Sequence, residues 1–147
     1  MLKKYLFALL VLVAVAVLAY AALPKEVDTT VMRTITTGGV SVAVEVADTE
    51  ILREQGLSGR SDLPDGKGML FVFDTDGLWN IWMKDMRFPI DIVWADVDGK
   101  VVTVALDIAT ETYPEVFSPS SPARYVLELP AGFAAAHGIV EGGQIVL

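Results

Sequence analysis

Residues 89–106 read PIDIVWADVDGKVVTVAL, and how this stretch folds decides the architecture. Two runs rich in β-branched residues, PIDIVWADV (89–97) and KVVTVAL (100–106), flank Asp98-Gly99. That dipeptide suits a type I′ turn, so the stretch reads as a β-hairpin, the clearest in the chain. Working outward, IWMKDMRF (81–88) leads into it and carries unusual charge for an apolar run. A turn at residues 86–89 would set Lys84 opposite Asp91 and Trp82 opposite Val93. Side chains alternate, so those four residues would share one face and Ile81, Met83, Ile92 and Trp94 the other. Both faces are then apolar in their middles, as expected of strands covered on two sides. Lys84 and Asp91 are expected to pair across the strands and pin the register, or to border a pocket and meet a ligand.

The flanks extend the pattern. MLFVF (69–73) is a predicted strand, DTDG (74–77) a turn and LWNIWMK (78–84) its partner. VMRTIT (31–36) and VSVAVEVA (40–47) surround Gly38-Gly39 as another hairpin. Asp48 offers an N-cap to the helix TEILREQ, which Gly56 ends, and a loop dense in Gly, Pro and Asp follows. RYVLELP (124–130) is a strand. Pro130 and Gly138 frame the short helix AGFAAAH, and QIVL closes the chain as a last strand. Residues 107–123 form the longest irregular segment. The whole is mainly β: an antiparallel sandwich or barrel of about eight strands with one or two short helices. A parallel arrangement would need a helix between successive strands, and the centre of the chain has none.

The N-terminus reads differently. After Lys3 and Lys4, residues 5–23 are an unbroken apolar run, about 28 Å long as a helix. Residues 1–23 are therefore expected to be a hydrophobic helix acting as a signal peptide or a membrane anchor; Ala19-Tyr20-Ala21 offers a cleavage site. Residues 24–30 are a linker, and residues 31–147 are the working domain on the extracytoplasmic side, secreted or membrane-anchored. With no cysteine, that domain is held by its core and not by disulfides. The formal net charge is −8, or −10 without Lys3 and Lys4, and no basic stripe follows residue 24. Such a surface argues against a nucleic-acid partner.

Most catalytic chemistries lack their residues. One histidine, His137, and no cysteine exclude zinc sites built from several such ligands, and no metal or other cofactor is expected. No G-x-S-x-G supports a serine triad, and DTDG and DVDG lack calcium-loop spacing. Two carboxylates remain, Asp91 and Glu128. Both lie in strands among apolar neighbours, where burial could raise a pKa and poise a proton.

Several ordered blocks carry a resemblance: Gly56, Leu57 and Arg60; Gly68 to Phe71; Trp82 to Lys84; Pro89 to Ile92; Val126 to Glu128 with Ala131 and Gly132. In these the chain, from about Val40 to Leu147, resembles the family known as domain of unknown function 192 (DUF192). The resemblance implies a jelly-roll type of β-sandwich with a minor helix, and no activity. It departs at Ser58, where the family usually has methionine, and at Asp85-Met86, where it usually has Asn-Thr. Arg60, Lys84, Asp91 and Glu128 match, and are expected either to form one cluster or to neutralise one another.

Three functions fit these features. The first is an extracytoplasmic module binding a small ligand, a carbohydrate among the options. It would use Arg60, Lys84, Asp91 and Glu128, with Trp82, Trp79, Trp94 or Tyr125 for stacking. The second is a structural or assembly partner of envelope proteins, showing an exposed apolar patch. The third is an enzyme using Asp91 or Glu128 as acid or base, which needs an open cleft and a raised carboxyl pKa.

Overall fold

The computed structural model describes residues 31–147, with Tyr5, Leu12 and Val13 before them. Apart from those three, the expected leader and linker lie outside the described residues. Strand β1 (Val31–Thr37) turns through Gly38 and Gly39, φ +56° and +76°, into β2 (Val40–Ala47). Helix α1 (Glu50–Gln55) is capped by Thr49, not Asp48: the Thr49 hydroxyl accepts from Leu52 N at 3.3 Å. Gly56 ends it at φ +48°. This helix is a crossover, so β3 (Lys67–Gly77) runs parallel to β2, the one parallel pair in the sheet and a correction to the all-antiparallel expectation.

Two further expectations fail for long-range reasons. DTDG is no turn, because β3 continues to Gly77 past a register shift. There the Arg124 Nε–Asp76 ion pair, 2.7 Å, ties its end to β8 (Ala123–Pro130). The hairpin between residues 81–84 and 90–94 is also absent. Strand β4 (Ile81–Trp82) instead pairs with β7 (Val116–Phe117) as a separate two-stranded sheet. The intervening loop bends at Asp85, φ +57°, a left-handed conformation that Asp and Asn tolerate best among non-glycine residues.

The expected Lys84–Asp91 pair is accordingly not formed. Asp91 is buried, and both its oxygens accept backbone donors: Oδ1 from Asp107 N and Oδ2 from Ala134 N, each at 2.8 Å. The first holds the left-handed Asp107 (φ +51°) of β6 (Val101–Ile108); the second satisfies a donor in the first turn of α2 (Phe133–Ala136). His137 ends α2, with its ring centroid 4.3 Å from that of Phe133.

The hairpin that opened the argument is present as β5 (Ile90–Ala95) and β6. Its turn is a three-residue loop, with Gly99 N donating to Asp96 O and Asp96 N to Lys100 O. Gly99 sits at φ +78°, the geometry of a type I turn with a G1 bulge and not type I′. Every residue of β5 is buried, so the stretch is covered on both faces as expected.

The main sheet runs β6-β5-β8-β3-β2-β1-β9, with β9 (Ile145–Val146) at the far edge. It curls into a half-barrel whose ends meet: Val101 N donates to Gly143 O, Ile145 N to Gly99 O, and Lys100 bridges Gln144. At that seam a Cβ on Gly99 would stand 2.3 Å from Ile145 O. Ile35, Val44, Leu70, Val93, Leu127 and Phe133 fill the concave side. Met69, Phe71, Ile92, Trp94 and Val126 form a second core on the convex side, under Leu57 and Met83.

Candidate functional site

The convex side of the sheet holds the site. Register places Glu45, Met69, Glu128 and Ile92 in one row across β2, β3, β8 and β5. Alternation makes all four point to the same side, so two carboxylates flank Met69. Asp91, one residue from Ile92, points to the concave side with Leu129 and is no part of the row.

Over the row lies the loop after α1. Ser58 Oγ donates to Lys84 O at 2.9 Å, and Gly59 N to Asp85 O at 2.9 Å, which lashes this loop to the segment after β4. Leu57 and Met83, both buried, are pressed onto the sheet beneath. Arg60 then reaches Glu45 with two parallel bonds, Nη1–Oε1 at 2.5 Å and Nη2–Oε2 at 2.6 Å. This charge-assisted bond holds the Glu45 carboxyl below the usual carboxylate range and raises Arg60.

Glu128 has no such partner. It is 5 % exposed, and among the described residues no donor reaches its buried Oε2. Burial pushes its carboxyl up to about 8, against the pull of the Arg60 charge. The group is therefore neutral around pH 7 and can donate a hydrogen bond.

Beside this acid the surface opens. A groove of about 720 Å³ runs between α1 and residues 79–84, lined among others by Arg53, Phe73, Trp79, Asn80, Trp82 and Lys84. Phe73 and Trp79 stack with centroids 4.0 Å apart and 6° between planes. Arg53 lies 5.1 Å from the Phe73 centroid and is fixed by bonds to Asp48 O and Val72 O. A smaller pit of about 70 Å³ shares Phe71, Asn80, Ile81 and Trp82 with the groove, and Glu128 forms part of its wall.

Of the residues singled out from sequence, Trp79, Trp82, Lys84 and Glu128 line this connected groove and pit. Trp82 is 52 % exposed, with Lys84 Nζ 5.7 Å from its ring centroid and Tyr113 edge-on at 5.9 Å. Arg60 stands by the acids, coupled to Glu128 by charge. Asp91 is remote from it and fully engaged. Trp94 is sealed in the core, its Nε1 on Trp79 O, and Tyr125 packs against the concave cluster. Sequence reasoning overlooked Glu45, Arg53, Phe73 and Asn80. Glu45 alone left a signal, as the single charge in VSVAVEVA, but its place beside Glu128 depends on the parallel pairing.

The chain was compared with known proteins. Residues 33–147 match the family model for DUF192, described as an uncharacterized ACR family. The chain belongs to the DUF192 family. A UPF0127 protein of Thermococcus gammatolerans is 34 % identical over 104 residues, spanning 69 % of this chain. The match covers 64 % of that relative's length, a little under two thirds. Two solved structures are similar. One, from Sinorhizobium meliloti 1021 and provisionally named a transcription regulator, has a TM-score of 0.75 at 28 % identity, covering 82 % of this chain and 96 % of that one. The other, a protein of unknown function from Novosphingobium aromaticivorans, has a TM-score of 0.73 at 25 % identity, covering 84 % and 90 %. The DUF192 model spans every site residue named above, including both positions of the Glu45–Glu128 row.

Proposed function

We propose that this DUF192 protein is a small-ligand binding module that takes an uncharged carbohydrate in the groove between α1 and β4. It would work outside the cytoplasm, secreted or held by residues 1–23, on a jelly-roll type of scaffold. The observation that carries the reading is Trp82, a large aromatic half out of water that lines both the groove and the adjoining pit, where an unpartnered acid forms part of the wall. Exposing such a ring forgoes burial worth about 2 kcal/mol, which a stacking ligand would restore. The groove's volume falls within the few hundred to about 1,000 Å³ common for small-molecule sites. Asn80 and Lys84 supply polar groups beside the aromatics, as sugar hydroxyls require. The acidic balance of the chain weighs against nucleic acid as the partner.

Titration calorimetry with neutral mono- and disaccharides tests this on the full chain and on Trp82→Ala. Binding that weakens at least tenfold in the variant, with an unchanged melting temperature, supports the groove. Equal binding by both proteins rules Trp82 out and sinks the reading. A second reading, acid catalysis by Glu128, draws on the same raised carboxyl beside an open groove. It predicts turnover of a bound glycoside, visible as product by NMR, and loss of that turnover in Glu128→Gln.

A further inference from the structure

Three polar side chains of the pit are already engaged. Ser58 Oγ is used on Lys84 O, the Arg53 guanidinium on two carbonyls, and Asn80 Oδ1 accepts from Ser118 Oγ at 2.8 Å. Leu57, Phe71, Ile81 and Met86 supply the apolar part of the wall, and Glu54 and Gln55 add polar groups at it. Glu128 stands in this wall with an unsatisfied carboxyl. At about 30 Å³ of liquid volume per water, the pit of about 70 Å³ holds a little over two water-sized groups, the scale of one small substituent. A fragment that fits pairs a small apolar end with a hydrogen-bond acceptor.

We infer that the pit takes the acetamido group of an amino sugar, with the Glu128 carboxyl donating its proton to the amide carbonyl oxygen. This rests on the groove reading above and specifies its ligand. The sugar ring lies against Trp82, the methyl group meets the apolar part of the wall, and the carbonyl faces the Glu128 carboxyl. No bond is broken. The charges around Glu128 keep this arrangement in place. Arg60, from the loop after α1, is engaged by Glu45 of β2; Arg53 and Glu54 belong to α1; β3 and β5 offer only Met69 and Ile92 in the row, and the segment after β4 offers Met86. Deprotonation replaces the donor by an anion, so affinity is present below the Glu128 pKa and falls above it.

The experiment is calorimetry of N-acetylglucosamine and glucose on the full chain between pH 6 and 10, with Glu128→Gln and Glu128→Leu alongside. N-acetylglucosamine is expected to bind at least tenfold tighter than glucose at pH 6. That advantage should shrink about tenfold per pH unit above about 8. Glu128→Gln keeps a donor that does not titrate, so its advantage should persist with a flat profile. Glu128→Leu should make the two sugars equal, and its urea midpoint will show that it folds. Equal, pH-independent binding of both sugars through Trp82 would overturn the pit assignment and leave the groove reading standing; water alone then fills the pit. An advantage surviving in Glu128→Leu would overturn it as well. If neither sugar binds the wild type, both proposals fall.

Discussion

Asp91 receives two backbone N–H groups, whereas among the described residues no donor reaches Glu128 Oε2, and the two buried acids should therefore respond oppositely to substitution. Asp91→Ala orphans the N–H groups of Asp107 and Ala134 and is expected to cost about 2–4 kcal/mol, with Asp91→Asn costing less, by urea denaturation. Glu128 is the reverse case. Its folded pKa, about 8, lies above the ordinary carboxylate value of 4.5, so the unfolded chain loses its proton first. Stability is then complete below pH 4.5, declines as pH rises toward 8, and levels off beyond, a total on the order of 5 kcal/mol. Glu128→Gln should abolish that slope and melt higher than wild type at pH 8; a parallel decline in both proteins would refute it. Glu45 acts in the other direction, losing its contribution as pH falls through its lowered pKa, with a smaller effect because its pair with Arg60 is partly solvated.

Among the elements, Gly99 makes the sharpest prediction. Its left-handed φ and the nearness of Ile145 O leave no room for a methyl group, so Gly99→Ala should cost more than about 2 kcal/mol and loosen the seam with β9. Amide exchange at Ile145 would report it. Features of this local kind were legible in the sequence: Gly38-Gly39 and Asp98-Gly99 announce turns, and runs of β-branched residues mark β2, β5 and β6. What stayed hidden depends on distant partners. The parallel pairing of β2 and β3 runs through a six-residue helix too small to signal a crossover, and β4 takes β7, more than thirty residues on, as its partner. Reading residues 81–94 as a hairpin put Lys84 beside Asp91 for that reason alone. Glu128 was found because a charge amid Val126, Leu127 and Leu129 has no local explanation, while Glu45 escaped because only the parallel register sets it next to Met69.

Across the molecule, protection should follow position in the sheet. β8 and β5 lie inside it with partners on both sides, and β4, β7 and β9 are two-residue strands at margins. Hydrogen exchange is therefore expected to be slowest at Val126, Leu127 and Val93 and fastest at Trp82, Val116 and Val146; uniform rates would contradict the layered order. The central place of β8 also bears on synthesis. β1, β2 and β3 form one half of the sheet and β5 and β6 the other, and only β8 pairs with both β3 and β5. Until residues 123–130 leave the ribosome, the nascent chain carries two unfinished halves with open hydrogen-bonding rims, each a template for a wrong partner. A chaperone would meet this polypeptide in that divided state, and its native shape would snap together only once β8 has emerged.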